Sequence, residues 1–318
     1  MPHIVTLTPN PALDVSTSVE RLVHAHKMRC NAPQMHPGGG GINVARVLHR
    51  LGADVLAIYP AGGPTGARLQ QLLQAEGVPT QALPIAGETR ESFTVHEGAG
   101  EVNDSHEYRF VLPGPTLSPG EWQACLYSLR QCNPAPAWVV SSGGLPPGVP
   151  VDGHAQVARV AREIGARMVV DSSGPALASA LNAGVWLVKP SLRELSELSG
   201  AALDSPARQR DAARRLIAQG QAQVVALSLG GAGAMLVTAG QCLLADGLDV
   251  PVASSVGAGD SFLAALVWAL DQSPDLHLAL ATAMAAGAAA VMEAGTGLCQ
   301  PDKLRNLRQQ VRIRACAD

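Results

Sequence analysis

From residue 54 onward the chain alternates short apolar runs with amphipathic stretches of helical period, and few architectures tolerate that rhythm. DVLAIYPAG is followed by ARLQQLLQAEG, AWVVSSGG by a helical pattern near 152–164, RMVVDSSG by PALASALNAG, and VWLVKP by LRELSELSG, with VVALSLGG as a further strand. Strands that are apolar on both sides and separated by helices belong in a parallel sheet covered on both faces. Two segments break the rhythm. Residues 16–37 and 88–112 are turn-rich and alternate with period two, as in FTVHE and HEYRFVL, which predicts antiparallel strands of a small second sheet lying over the core as a lid. Two late stretches rich in Ala and Leu, 258–270 and roughly 276–292, read as buried helices. Hydrophobic residues make up 47% of the chain but aromatic ones only 3%, so the interior must be built from Ala, Leu and Val at close backbone spacing. No fixed-period repeat or low-complexity linker divides residues 1–318, which read as one α/β domain carrying its lid.

Several function classes fall away on composition. A formal charge of -3 and a pI near 6.3 leave no cationic excess for a nucleic acid backbone or an anionic membrane surface. Any phosphate bound here is expected to be held locally, by backbone amides and a few placed Lys or Arg residues. The six cysteines are scattered without a CxxC pair, which suits a reducing cytoplasm. MPHIVTLTPNPALDV lacks the charged-then-apolar pattern of a signal peptide. The longest apolar stretch, 278–292, is shorter than the about 20 residues a membrane span needs. His24 and His26 have no acidic or cysteine partner at metal-ligand spacing and read as surface residues.

Two motifs carry chemistry. In PGGGGINVARVLHRLG, residues 37–52, four glycines run straight into an amphipathic helix. Glycine brings backbone N–H groups close to a ligand and the helix N-terminus adds partial positive charge, so a polar group is expected to dock there, with Asn43 in the first turn. The plainer reading is a flexible turn before an ordinary helix. In SSVGAGDSFLAAL, residues 254–266, Gly257, Ala258 and Gly259 place successive N–H groups at a helix mouth as an anion hole, and Asp260 stands inside the first turn. A carboxylate there can take the proton of an attacking alcohol while the amides stabilise a transferring phosphoryl group. An Asp that merely stabilises its own helix dipole would explain Asp260 but not the flanking glycines. No GxxxxGK[ST] run occurs, which excludes a P-loop kinase.

Together the two glycine runs resemble the paired signatures of the ribokinase-like PfkB family of carbohydrate kinases. The likeness continues through TLTPNPALD, YRFVLPG, SGGLPPG, VVDSSG, LVKPSLREL, VVALSLGGAGA and GTGLC, and is strongest to the family's minor 6-phosphofructokinase branch. The resemblance implies a ribokinase-like core with a β lid, paired through the lids of two subunits into a homodimer. It implies phosphoryl transfer from MgATP to the C1 hydroxyl of fructose 6-phosphate, with Asp260 as base. Asp14, Gly38, Gly39 and Asn43 would bind the sugar, and Arg90 and Ser142 its phosphate. Lys189, Ser191, Ser228, Gly230, Gly233, Met284 and Ala288 would hold the nucleotide, with Lys27 reaching its phosphates from the partner subunit. Glu194 would organise magnesium, and Ser254, Val256, Ala290, Glu293 and Gly295 would surround a potassium ion. Without the resemblance, Lys27 and Arg90 read as solvated lid charges and Asp14 as a turn former.

The sequence departs from the family at three points. Ser191 stands where the family has Asn in an NxxE motif, Gly144 where the branch has Ser, and Gly297 where it has Arg beside the monovalent-cation site. A second enzyme reading keeps the mechanism and changes the sugar to fructose 1-phosphate or tagatose 6-phosphate, and a reading of another class, a sugar-phosphate sensor without catalysis, finds its support only in Ser191.

Overall fold

The computed structural model describes residues 3–98, 106–295 and 297–316. In chain order the chain forms β1 (Ile4–Leu7), β2 (Ala12–Val19), β3 (Gln34–Gly38), α1 (Gly40–Arg50), β4 (Val55–Ala61), α2 (Gly63–Ala75), β5 (Thr80–Pro84), β6 (Arg90–Glu97) and β7 (His106–Val111). It continues through α3 (Pro119–Arg130), β8 (Trp138–Ser142), α4 (Gly153–Glu163), β9 (Arg167–Asp171), α5 (Gly174–Ala183), β10 (Val185–Val188), α6 (Leu192–Ser199), α7 (Pro206–Ala218) and β11 (Ala222–Ser228). The last elements are β12 (Gly233–Val237), β13 (Cys242–Asp246), α8 (Ala258–Gln272), α9 (Leu276–Val291), α10 (Pro301–Arg308) and β14 (Ile313–Ala315).

Ten strands form the large sheet in the order β14-β13-β12-β11-β10-β9-β8-β1-β4-β5. From β5 across to β11 every pair is parallel, as the strand-helix alternation requires, whereas β11 to β14 are antiparallel. That antiparallel edge was not anticipated from the sequence. GAMLV and CLLAD are as apolar as the parallel strands, and only the tight 238–241 turn, where Thr238 N–H donates to the Gln241 carbonyl at 2.8 Å, makes them a hairpin. Each strand feeds two cores because its side chains alternate: Ile4, Val140 and Val169 pack under α1, α8, α9 and α10, and Val5, Val139 and Val170 under α3 to α7. The Ala-rich face of α9 lets it lie close against α8, with Ala279, Ala283, Ala286 and Ala290 at or near zero exposure.

The lid sheet has the order β3-β2-β6-β7. It is mixed rather than antiparallel: β2 pairs with β6 in parallel because a whole β4-α2-β5 excursion separates them, while β2-β3 and β6-β7 are antiparallel. The part of the predicted lid at 99–105 lies outside the described residues. Register divides the lid by face. Asp14 pairs with His36 and Ser92, and Thr94 with Arg109, on the side that meets the core; Val15 pairs with Met35 and Phe93, and Phe93 with Phe110, on the other side. No helix among the described residues is long and apolar enough to cross a membrane. Of the six cysteines read as scattered thiols, Cys242 on β13 and Cys316 just beyond β14 are joined by a disulfide, because the β13-β14 pairing brings positions 74 residues apart together.

Candidate functional site

The parallel strands end at one edge of the sheet, and the site is assembled there from Ser142 at the end of β8, Asp171 at the end of β9, Lys189 just past β10, Ser228 at the end of β11 and the mouths of α1 and α8. At the mouth of α8, Gly257 takes the left-handed conformation, φ 74°, and a side chain there would strike Leu298. Only glycine therefore turns the 254–256 segment into the helix. Its carbonyl accepts Ser261 N–H at 2.8 Å, the first intrahelical bond, and the amides before it in α8 have no intrahelical acceptor. Asp260, part-buried in the first turn of α8, accepts a hydrogen bond from Asn43 Nδ2 of α1 at 2.9 Å. The two glycine-to-helix motifs, separate in sequence, thus meet side chain to side chain. Desolvation by the surrounding protein pushes the Asp260 carboxyl up to about 6; the neighbouring Asp171 and Asp14 charges push the same way, while Asn43 and Lys189 oppose them.

The sugar-side residues also converge. Asp14 lies within strand β2, not in a turn, and its carboxylate is stacked so tightly on Gly38 that a methyl group at 38 would overlap both oxygens. Desolvation raises Asp14 to about 6 as well, against the pull of Arg90, Arg46 and Arg109. Arg90, on β6, is not a solvated lid charge: its Nη1 and Nη2 donate to the Leu112 and Asn10 carbonyls, each at 3.2 Å, and its buried Nε has no partner. Ser142 is 1% exposed and abuts Gly40, and Gly39 is the residue from which α1 starts.

The proposed nucleotide residues are placed less uniformly. Lys189 Nζ is 3.1 Å from Asp171 Oδ2. Burial works against its charge, but Asp171, together with the Asp260 and Glu194 carboxylates, more than restores it, so the ammonium stays protonated, already paired, beneath Gly259. Ser191 is the N-cap of α6: its hydroxyl accepts Glu194 N–H at 3.3 Å and Glu194 Oε2 accepts Ser191 N–H at 2.8 Å, a reciprocal capping box. Ser228 is tied by its N–H to the Pro190 carbonyl, and Gly230 opens the following turn to solvent. Gly233 sits against the β13 backbone, and Met284 is 7% exposed in the core beside the half-buried Ala288, so these three have packing roles that need no ligand. Lys27 is exposed in the loop between β2 and β3.

Among the described residues no cluster of three or more His, Cys, Asp or Glu could hold a metal ion. Asp171 and Glu194, whose charges sense one another, nevertheless fit a hydrated magnesium carried mainly on nucleotide phosphates, because that ion retains several waters and takes few protein ligands. Of the residues assigned to potassium, Ser254 Oγ donates to Glu107 Oε2 at 2.7 Å, Glu293 pairs with Lys303 at 2.7 Å, and Gly295 packs on Ser16 of the lid. The Ser254 and Glu293 side chains are engaged, and the Ala290 carbonyl accepts Glu293 N–H at 3.0 Å, which leaves backbone carbonyls of Ser254 and Val256 as the donors a cation could use. At the departure point Gly297, Arg50 Nη1 donates to the carbonyl at 2.7 Å, so a guanidinium reaches this turn from α1 instead.

Four residues of the site were not singled out in the sequence: Arg46, Asp171, Glu107 and His154. Asp171 lies in the quoted VVDSSG run at a strand end, a signal that could have found it. His154 is fully buried, bonded to Ser141 Oγ and to the Gly143 carbonyl, and burial drops it to about 4, so it is a neutral brace for the loop after β8. Glu107 and Arg109 join the lid to Ser254 and Ser255, contacts that no local pattern announces.

The pfkB family carbohydrate kinase model matches residues 12–303. The chain belongs to that family. The kinase is 44% identical over 301 residues to ATP-dependent 6-phosphofructokinase isozyme 2 of Mycobacterium tuberculosis, covering 95% of this chain and 87% of that protein. It is 40% identical over 309 residues to the isozyme of the same name from Escherichia coli K12, covering 96% and 98%. The 1-phosphofructokinase of Vibrio cholerae is 33% identical over 312 residues, covering 98% and 96%. In structure it superposes on phosphofructokinase-2 from Escherichia coli, solved in complex with substrates and products, with a TM-score of 0.92 at 38% identity over 97% of this chain and 99% of that one. This carbohydrate kinase therefore has the ribokinase-like fold, a central mixed sheet flanked by helices with a small separate sheet.

Proposed function

We propose that this kinase transfers the γ-phosphoryl group of ATP to the C1 hydroxyl of fructose 6-phosphate. The observation that carries the reading is the hydrogen bond from Asn43 to Asp260, which places a carboxylate raised to about 6 between a sugar-side glycine turn and the amide-lined mouth of α8. Near neutral pH such a carboxylate is ionised yet basic enough to accept a proton in the transition state. As the C1 oxygen forms its bond to the γ-phosphorus, its proton passes to Asp260, and the bond to the β,γ-bridging oxygen breaks with its electron pair leaving on ADP. The amides of Gly257, Ala258 and Gly259 are directed at the charge on the transferring group. Glu194 and Asp171 would hold magnesium through its waters, and the ion would supply charge neutralisation on the nucleotide phosphates. Potassium is assigned to the 254–256 backbone.

Asp14 and the Gly38-Gly39 turn hold sugar hydroxyls, while Arg90 and Ser142 receive the phosphate at the end away from Asp260. The 6-phosphate is favoured over the 1-phosphate because the relatives at 40–44% identity carry the 6-phosphofructokinase name and the one at 33% the other. The outer lid face, with Phe110 52% and Met35 41% exposed, supports a homodimer in which two lids cover each other and Lys27 reaches the partner's nucleotide. ATP use fits a cytoplasmic enzyme, although the Cys242–Cys316 disulfide is a feature that a reducing cytoplasm does not favour. A coupled assay with ATP over fructose 6-phosphate, tagatose 6-phosphate and fructose 1-phosphate, run on wild type and Arg90→Ala, tests the assignment. Loss of a charge-assisted contact costs about 1.5 to 3 kcal/mol, so Arg90→Ala should lower kcat/KM for the sugar about tenfold or more and leave the KM for ATP nearly unchanged. A wild-type preference for fructose 1-phosphate, or a penalty confined to ATP, would overturn it, and no turnover with any of the three would favour the sensor reading.

A further inference from the structure

Position 46 lies on the buried side of α1 among Val44, Ala45, Val47 and Leu48, yet it carries a guanidinium whose side chain is 1% exposed. Burying a cation costs several kcal/mol unless it is fully paired. Arg46 is held on all sides. Nη2 and Nε clamp the carboxylate of Glu76, at the end of α2, at 2.6 and 2.9 Å; Nη1 donates to the Pro37 carbonyl at 3.0 Å and to Asn43 Oδ1 at 3.4 Å.

The last two contacts lead to the two carboxylates of the site. Pro37 precedes Gly38, the residue on which Asp14 is stacked. Asn43 turns its other end to Asp260. An amide facing a carboxylate could present either its NH2 or its oxygen, and only the first stabilises the ionised acid. With a guanidinium bonded to the Asn43 oxygen, the NH2 is left for Asp260. We propose that Arg46 is the positioning residue of this site, setting the amide orientation that keeps Asp260 ready to accept a proton and the strand end that seats Asp14. Glu76 holds the guanidinium from the solvent side, with Arg50 sharing that carboxylate at 3.5 Å and His36 facing the same cluster. Around Asp260 the other charged groups are Asp171, Lys189 and Asp14.

The inference rests on Asp260 being the base. The test is a double-mutant cycle on kcat between Arg46→Lys and Asn43→Ala, with Arg46→Met as a harsher variant and Asp260→Asn as the reference. Lys keeps the charge beside Glu76 but lacks the fork that reaches three partners, so the protein is expected to fold. Arg46→Lys should lower kcat about tenfold in the wild-type background and less than about threefold in Asn43→Ala, since coupled residues do not add. It should also shift the acid limb of kcat/KM upward by about one pH unit, because a freed amide can accept a hydrogen bond from protonated Asp260. Equal penalties in both backgrounds, or a lowered melting temperature with kcat and the acid limb unmoved, would reduce Arg46 to a structural ion pair and overturn the proposal. If Asp260→Asn retains turnover, the base assignment fails instead, whatever the cycle returns.

Discussion

Gly38→Ala tests the sugar side of the site without altering any side chain assigned to bind. The new methyl would overlap Oδ1, Oδ2 and Cγ of Asp14, and its backbone conformation at 38 is one alanine can adopt. Because Pro37 is anchored through Arg46 and the β2-β3 pairing fixes the strand, the carboxylate is the part free to move. Asp14 must swing off the position where it would accept a sugar hydroxyl. A hydrogen bond to a charged group is worth about 1.5 to 3 kcal/mol, which corresponds to about 10- to 150-fold in kcat/KM for the sugar phosphate. The KM for ATP should change less than about twofold, since additive behaviour is expected for groups without shared contacts. Steady-state kinetics with each substrate varied, beside a thermal melt, make the measurement. Asp14→Ala should nearly erase the extra penalty of Gly38→Ala. If Gly38→Ala keeps kcat/KM for the sugar within twofold while the melt shows an intact fold, Asp14 does not hold the sugar and the reasoning is refuted.

Asp260→Asn should cut turnover about 100- to 10,000-fold while ATP still binds by calorimetry; a variant with a third of wild-type turnover would reject the base. Since Asp260 is raised to about 6 and must be ionised to accept a proton, kcat should rise with pH through about 6 and level above it, and a limb at the ordinary carboxylate value would show the desolvated site to be wrong. Ser191→Asn should lower the free magnesium needed for half-maximal rate: Asn also caps helices, so α6 keeps its start while the longer amide reaches farther, and an unchanged or higher requirement would count against this. Phe110→Asp, on the outer lid face, should yield monomers by light scattering, and a wild type that is already monomeric at working concentration would end the lid-to-lid proposal.

What neighbouring residues can encode was legible in the sequence. The helix starts at the two glycine runs, the strand-helix rhythm from β4 to β11 and the two-residue alternation of the lid all depend on contacts within about one turn or one strand. Asp260 could be read because its flanking glycines announce an amide-lined helix mouth within four residues. Lys189 was legible as a site residue but not as half of an ion pair, because Asp171 reaches it only when β9 and β10 lie side by side. The antiparallel edge, the disulfide and the lid contacts of Glu107 were hidden for the same reason. Arg46 shows the limit most clearly. Its helical position alone makes it one polar residue in an amphipathic stretch, and only the packing of α1 between β3, α2 and α8 buries its charge and joins Glu76, Pro37 and Asn43 around it. Local backbone preference is a property of a few adjacent residues, whereas desolvation and ionisation depend on everything within several ångströms, and that company is chosen by the tertiary fold.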